Sequence, residues 1–275
     1  MNNIEFQKWL IRHDRQPLIM GILNTTPDSF SDGGLFLDSD SACNHALHMV
    51  NDGADIIDIG GESSRPGAMG LDIQTELDRV IPVIEAIRRS TDSIISIDTI
   101  KPEVAEAALK AGANIINDIS GFRNNAMIDV AVKYQKPVII MHMQGDPRTM
   151  QQNPTYENVV LEVRDYLLKQ AEKLKNSGCD RKNIIIDPGI GFGKTIEDNF
   201  AIIRDLKTFT ATGYPVLMGP SRKSFIGHTL DLPPDERLEG TAAAVTASIM
   251  NGADIVRVHD VKEMKRVVTI AEKFR

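Results

Sequence analysis

Gly53-Ala54-Asp55-Ile56-Ile57, Gly112-Ala113-Asn114-Ile115-Ile116 and Gly252-Ala253-Asp254-Ile255-Val256 are three copies of one short pattern. Each follows a helical periodicity and opens a short β-branched run. The runs end in polar residues: Gly60-Gly61-Glu62, Asn117-Asp118, and Arg257 to Asp260. The repeat is a helix–Gly–strand unit, and internal repeats of this kind decide the architecture. Its strands are too apolar to keep one face in water, so they suit a parallel sheet covered by helices. The polar residues fall at strand ends, where parallel α/β proteins build their sites.

Outward from the repeat, short apolar runs alternate with longer helical patterns. Eight strands are predicted, at 18–23, 55–59, 94–97, 114–117, 137–142, 183–187, 215–218 and 255–258. Helices start near Ser41, Asp72, Pro102, Asn125, Thr155, Ile196, Arg237 and Val261. Eight strands each followed by a helix give a (β/α)8 TIM barrel, and no composition shift divides residues 1–275 into more than one domain. In the helix from Asp72, Ile73, Leu77, Val80, Ile81, Ile84 and Ile87 form one apolar stripe. Pro82 within that stripe predicts a kink, whereas Pro102 falls in a first turn, where its missing N–H costs nothing. Two strand–helix connections, 24–39 and 60–71, are longer than the two to six residues usual in α/β units. Connections of that length are lids or binding loops, and both leave the same barrel face.

Composition narrows the function. A 42% apolar fraction supports a sizeable core, and a net charge of -7 argues against holding nucleic acid by its phosphates. Cys43 and Cys179 form no metal-ligand pattern and read as free thiols in a reducing compartment, so a cytoplasmic location is expected. Residues 1–17 lack the apolar segment of a signal peptide, and no run of 18 apolar residues exists to span a membrane.

Strand alternation selects the residues that converge. Asp98 shares a face with Ser96, Asn117 with Ile115, Asp187 with Ile185, and Arg257 with His259. In a closed barrel these side chains crowd the C-terminal mouth, joined by Lys223 just after the seventh strand. Carboxylates and an amide can hold the N–H edge of a flat heterocycle, and an arginine with a histidine can act as a cationic pair for an anion. Gly189-Ile190-Gly191-Phe192-Gly193-Lys194-Thr195 looks like a phosphate loop but is not one. The position that a P-loop reserves for its first glycine is Pro188, and GxGxxG fails at Lys194. The stretch reads instead as a tight βα loop passing close to a ligand.

At these residues the chain resembles dihydropteroate synthases. The matching segments are Met20-Gly21-Ile22-Leu23-Asn24, Thr26-Pro27-Asp28-Ser29-Phe30-Ser31-Asp32-Gly33-Gly34, Ile57-Asp58-Ile59-Gly60-Gly61-Glu62-Ser63 and Ser96-Ile97-Asp98-Thr99. Asn117-Asp118-Ile119-Ser120-Gly121, Met141-His142-Met143, Asp187 to Lys194, Ser221-Arg222-Lys223-Ser224-Phe225 and Arg257-Val258-His259-Asp260 continue the likeness. The resemblance implies condensation of 6-hydroxymethyl-7,8-dihydropterin diphosphate with 4-aminobenzoate, by loss of pyrophosphate through a cation-like methylene.

Position by position, the resemblance implies a pterin site of Asp98, Asn117, Met141, Asp187, Gly219 and Lys223. It implies an anion site of Asn24, Arg257 and His259, with Asn24 also on a Mg²⁺ carried by the diphosphate. Ser64, Arg65, Pro66, Phe192 and Ser224 would border aminobenzoate, and Asp187, Lys223, Arg257 and His259 would serve the chemistry. The family further implies a homodimer and sulfonamide sensitivity. Ser64 stands where the family usually has threonine, keeping the hydroxyl and losing a methyl. A pterin-binding methyltransferase barrel shares the ring-binding residues but gives no reason for Thr26 to Gly34, Arg65-Pro66 or the Arg257/His259 pair. A paralogue that binds pterin without turnover and a Schiff-base aldolase built on Lys223 are competing readings of the same residues. The two long loops are expected to close after the pterin diphosphate binds, so aminobenzoate should bind second.

Overall fold

Glycine ends the helix in each of the three repeats for a geometric reason. Gly53, Gly112 and Gly252 have φ of +105°, +117° and +103°, left-handed values that favour a residue without Cβ. The next N–H turns back to the helix: Ala54 to Met49, Ala113 to Ala108 and Ala253 to Ser248. The third residue then binds the adjacent strand. Asp55 accepts from the N–H of Ile19, Asn114 from Ile95 and Asp254 from Val216, each at 3.0 Å. One three-residue device thus stops a helix, reverses the chain and ties it to the strand alongside.

The computed structural model describes residues 1–25, 35–63, 70–146, 149–151 and 153–275. After α1 (Asn3–Leu10) come β1 (Leu18–Asn24), α2 (Leu35–Asn51), β2 (Ile56–Gly60), α3 (Ile73–Ser90), β3 (Ile94–Asp98) and α4 (Pro102–Ala111). Next are β4 (Ile115–Asp118), α5 (Asn125–Tyr134), β5 (Val138–Met141), α6 (Val159–Asn176), β6 (Ile184–Asp187), α7 (Ile196–Arg204) and α8 (Lys207–Thr210). The chain finishes with β7 (Leu217–Met218), α9 (Ser224–Leu230), α10 (Leu238–Met250), β8 (Ile255–Val258) and α11 (Val261–Phe274). The strands run parallel in the order β6-β5-β4-β3-β2-β1-β8-β7, and an Ile186–Val216 bridge brings the two ends together. The expected (β/α)8 barrel is what forms. β7 is shorter than predicted because Pro215 has no N–H to give; its carbonyl instead accepts from Ile186 at 3.0 Å.

Two predicted helix starts move. α2 begins at Leu35 rather than near Ser41. α6 begins at Val159, where Asn158 caps it by accepting from Leu161 N–H. α3 continues through Pro82, and its buried face is Glu76, Val80, Val83, Ile84, Ala86 and Ile87. Ile73, assigned to the buried stripe from spacing, is the first helical residue and is exposed.

α1 was not anticipated. Its start is fixed by a capping box in which Asn2 and Glu5 exchange side-chain to backbone bonds. Its apolar face, Phe6, Trp9 and Leu10, packs against the inward residues of the strands: Leu18, Met20, Ile56, Ile94, Ile115, Ile139, Ile185, Leu217 and Ile255. The barrel is therefore stoppered at its N-terminal end and filled with apolar side chains. A separate shell of apolar residues joins the outward strand faces to the helices. Among the described residues no helix is long and apolar enough to cross a membrane.

Candidate active site

Two residues along five of the strands from that apolar layer, the barrel interior turns polar. Ile56 is followed on its face by Asp58, Ile94 by Ser96, Ile115 by Asn117, Ile185 by Asp187 and Ile255 by Arg257. The ladder places these side by side: Asp58 beside Ser96, and Asp98, one step higher, beside Asn117. Met20 of β1 stands beside Arg257 of β8.

Arg257 is the hub. Its Nε donates to Asp58 Oδ2 at 2.6 Å and its Nη2 to Asp98 Oδ2 at 2.8 Å. Asn117 Nδ2 donates to the same Asp58 oxygen at 3.2 Å. Across the barrel, Asp187 Oδ1 accepts from the N–H of Gly189 at 2.7 Å. Lys223 carries its ammonium 4.1 Å from the centre of the Phe192 ring, a cation–π contact. These groups open on one cleft at the C-terminal mouth of the barrel. Asp98, Asn117, Asp187, Lys223 and Arg257 supply its polar lining; Ile119, Met141, Ile190 and Phe192, with Gly189 and Gly219, supply the rest. Met141 and Phe192 belong to an apolar cluster with Ile119, Met143 and Met150. An apolar wall beside a rim of acceptors and donors suits a flat, nitrogen-rich ring.

Burial shapes the charges. It pushes the Asp187 carboxyl up to about 6, against the Gly189 N–H bond that favours the anion. Asp98 is also raised by burial, with Arg257 pulling it back and Asp58 adding to the rise. Burial pulls Lys223 down to about 8, and neighbouring Arg257 pulls in the same direction. Burial opposes the charge of Arg257, but Asp58 and Asp98 outweigh it and hold this group above its usual range.

The upper residues of the expected site spread over the rim. Asn24 ends β1 beside Gly60 of β2 and is exposed. His259 lies just past β8, half-buried, with Nδ1 3.0 Å from Ser221 Oγ, which also accepts from the His259 N–H. Burial, then Arg257 and Arg222, pulls His259 down to about 3, so the ring is neutral and offers hydrogen bonds rather than charge. The expected cationic pair is thus a single cation, Arg257, already paired to carboxylates. Phe192 lines the cleft; Ser224 opens α9 and is exposed, outside the lining. Ser64, Arg65, Pro66 and the first loop from Thr26 to Gly34 lie outside the described residues. The root of the second loop is described. Arg79 donates to the Gly61 carbonyl at 2.9 Å, and Lys101 bonds both Glu62 and buried Glu76.

The 188–194 stretch is the tight loop that its glycines indicate. Gly189 has φ +71°, and a Cβ there would lie 1.9 Å from the His142 carbonyl oxygen, so no other residue fits without moving the chain. Sequence reading passed over Asp58 and Ser221. Asp58 carried a signal: it shares the inward face of Ile56, and a carboxylate inside a barrel needs a partner.

The pterin binding enzyme family profile matches residues 20–259. The chain is 48% identical over 260 residues to the dihydropteroate synthase of Synechocystis sp., covering 94% of this chain and 90% of that protein. Against the Bacillus subtilis dihydropteroate synthase it is 47% identical, covering 95% and 90%. The crystal structure of Yersinia pestis dihydropteroate synthase with a sulfonamide drug complex superposes with a TM-score of 0.89 at 42% identity, covering 94% of each chain. The Xanthomonas albilineans dihydropteroate synthase in complex with 7,8-dihydropteroate gives a TM-score of 0.85 at 38% identity, covering 96% and 95%. Coverage is near-complete and the barrel is shared, and the chain belongs to the pterin binding enzyme family.

Proposed function

We propose that the chain is a dihydropteroate synthase, joining 6-hydroxymethyl-7,8-dihydropterin diphosphate to 4-aminobenzoate with release of pyrophosphate. One observation carries this reading: Asp98, Asn117, Asp187, Lys223 and Arg257 meet around one cleft in a chain that aligns over 94% of its length with such a synthase. Asp98 and Asp187 accept from the N–H groups of the pterin edge, and Asn117 can both donate and accept. Lys223 above Phe192 donates to a ring acceptor. The apolar wall of Ile119, Met141 and Phe192 packs along the ring.

The reaction breaks the methylene–oxygen bond and leaves its electrons on the diphosphate. The dihydropterin ring supplies electron density to the methylene, and the nearby carboxylate of Asp187 favours that positive charge. The aminobenzoate nitrogen then forms the new bond and sheds a proton to solvent. His259, held by Ser221, donates a hydrogen bond to the departing diphosphate, and Arg257 supplies positive charge. Among the described residues no three His, Cys, Asp or Glu side chains form a metal cage. Asn24 offers one amide oxygen at the rim, a donor set that fits Mg²⁺ held mainly by diphosphate and water. When bound there, Mg²⁺ neutralises charge on the leaving diphosphate.

We place aminobenzoate beside Phe192, with Ser64, Arg65, Pro66 and Ser224 around it, and infer that the chain acts in the cytoplasm as a homodimer. The test is pyrophosphate release from the dihydropterin diphosphate. It should require both 4-aminobenzoate and Mg²⁺; release without aminobenzoate, or none at all, refutes the reading. Tight binding of 4-aminobenzoate to the free protein would refute the expected order of substrates.

A further inference from the structure

Lys194 is a buried lysine with no place in the substrate contacts; burial pulls it down to about 7, and the acceptors around it favour the ammonium. Its side chain is almost wholly enclosed, and its Nζ faces four acceptors. These are His142 Nδ1 at 3.0 Å and the carbonyl oxygens of Gly189 at 2.9 Å, Phe192 at 3.0 Å and His142 at 3.4 Å. A neutral amine would turn its lone pair on one of these acceptors; an ammonium has only donors to give. Burial holds His142 down to about 2, and Lys194 adds to the effect, so the ring is neutral and its Nδ1 supplies a lone pair. The cage resembles the carbonyl coordination of an alkali ion, with the cation tethered to the chain.

The loop that builds this cage also builds the cleft. Gly189 gives its carbonyl to Lys194 and its N–H to the Asp187 carboxylate at 2.7 Å. Phe192 gives its carbonyl to Lys194, its N–H to the Gly189 carbonyl at 3.1 Å, and its ring to Lys223. His142 donates its N–H to the Asp187 carbonyl at 3.0 Å. The hydrogen-bonded route from the Asp187 carboxylate to Phe192 therefore passes through the Gly189 carbonyl, an acceptor that Lys194 holds. We propose that Lys194 is a positioning residue, a built-in cation that organises loop 188–193 and so fixes the Asp187 carboxylate and the Phe192 ring toward the pterin. The proposal rests on the reading of Asp187 and Phe192 as substrate contacts. An apolar side chain of similar volume would leave the Phe192 and His142 carbonyls and the imidazole without a donor, and a single water could satisfy only two of them.

The experiment is Lys194→Ala, read by amide hydrogen exchange and by calorimetric binding of 6-hydroxymethylpterin. Exchange at the Gly189 and Phe192 amides should speed up about tenfold while the strand amides keep wild-type protection. Pterin affinity should fall about tenfold or more, the scale of hydrogen bonds to a charged group. Methylammonium, small enough for the vacated cage, should restore at least part of that affinity; tetramethylammonium, which has no N–H, should not. Lys194→Gln replaces Ala if the Ala variant fails to fold, and should show the same local deprotection with a smaller loss. Uniform acceleration of all amides, or unchanged pterin affinity, overturns the proposal. A loss that methylammonium fails to reverse overturns the built-in cation. If the wild-type protein itself does not bind 6-hydroxymethylpterin, the pterin reading fails separately, and the exchange at Gly189 and Phe192 still decides whether Lys194 organises the loop.

Discussion

Asp58→Asn tests how the cleft holds its shape. One oxygen of Asp58 takes two donors, Arg257 Nε at 2.6 Å and Asn117 Nδ2 at 3.2 Å. Both donors belong to side chains that line the cleft. The asparagine amide keeps one oxygen in the same place, so both bonds can survive in neutral form, but the charge is gone. Hydrogen bonds to charged groups are worth about 1.5–3 kcal/mol and neutral ones about 0.5–1.5 kcal/mol. The Coulomb attraction lost is at most about 4 kcal/mol at 4 Å in a medium of effective dielectric 20. Relief from burying the carboxylate offsets part of it. Where pterin binding must restore the lost orientation of Arg257 and Asn117, a net cost of about 2 kcal/mol lowers affinity roughly 30-fold.

The assay is calorimetric titration with 6-hydroxymethylpterin, alongside urea unfolding. Asp58→Asn should unfold cooperatively and bind pterin roughly 30-fold more weakly. Asp58→Ala should lose about 3–5 kcal/mol of stability, because it takes one of two carboxylates from Arg257 and leaves Asp98 as its remaining ion pair among the described residues. Asp58→Asn binding within about threefold of wild type, a difference below 1 kcal/mol, would show that Arg257 and Asn117 are oriented without Asp58, and would refute the argument.

Asp187, raised to about 6 by burial, must be ionised to accept the ring N–H groups. Pterin affinity should therefore be greatest between about pH 7 and 8, fall as pH drops through 6 by up to about tenfold per unit, with Asp98 widening the fall, and decline again above 8 as Lys223 loses its proton; Asp187→Asn should bind weakly and flatten the acid side of the profile. Ser221→Ala frees the neutral His259 ring and should weaken the diphosphate-bearing substrate about tenfold, the worth of one hydrogen bond, while 6-hydroxymethylpterin binds as before. Chelating Mg²⁺ should stop pyrophosphate release and leave 6-hydroxymethylpterin binding intact; loss of both would place the metal elsewhere than on the diphosphate. Phe6→Ala should cost about 3–5 kcal/mol in urea unfolding without changing pterin affinity, since Phe6 stoppers the end of the barrel remote from the cleft.

Two-residue alternation made both the barrel and much of its cleft legible. It put Asp98, Asn117, Asp187 and Arg257 on inward faces, and the ladder keeps them there. What it could not show is pairing. Asp58 obeys the same alternation, but its partner Arg257 lies 199 residues away in sequence. An aspartate between isoleucines suggests a buried acid without naming its counter-ion. The Arg257–His259 spacing suggested two cations; burial, which spacing does not report, leaves His259 neutral. α1 was missed for a different reason. Asn2 and Glu5 spell a capping box and Phe6, Trp9 and Leu10 a helical face, but that face had no visible purpose until the barrel it closes was in place.

Lys194 and Lys223 show where reading by residue type ends. Both are lysines after strand ends on the same side of the barrel, and burial pulls both down, Lys194 to about 7 and Lys223 to about 8. Their surroundings separate them. Lys223 lies over an aromatic face at the cleft, with donors still to offer a ligand. Lys194 spends its donors on loop carbonyls and on His142. The left-handed glycines 189, 191 and 193 let the chain turn those carbonyls inward, so the glycines and the lysine make one device. The run that imitates a phosphate loop is thus the reverse of one. A phosphate loop turns its N–H groups toward an anion, whereas this loop turns carbonyls toward a cation that the chain supplies itself.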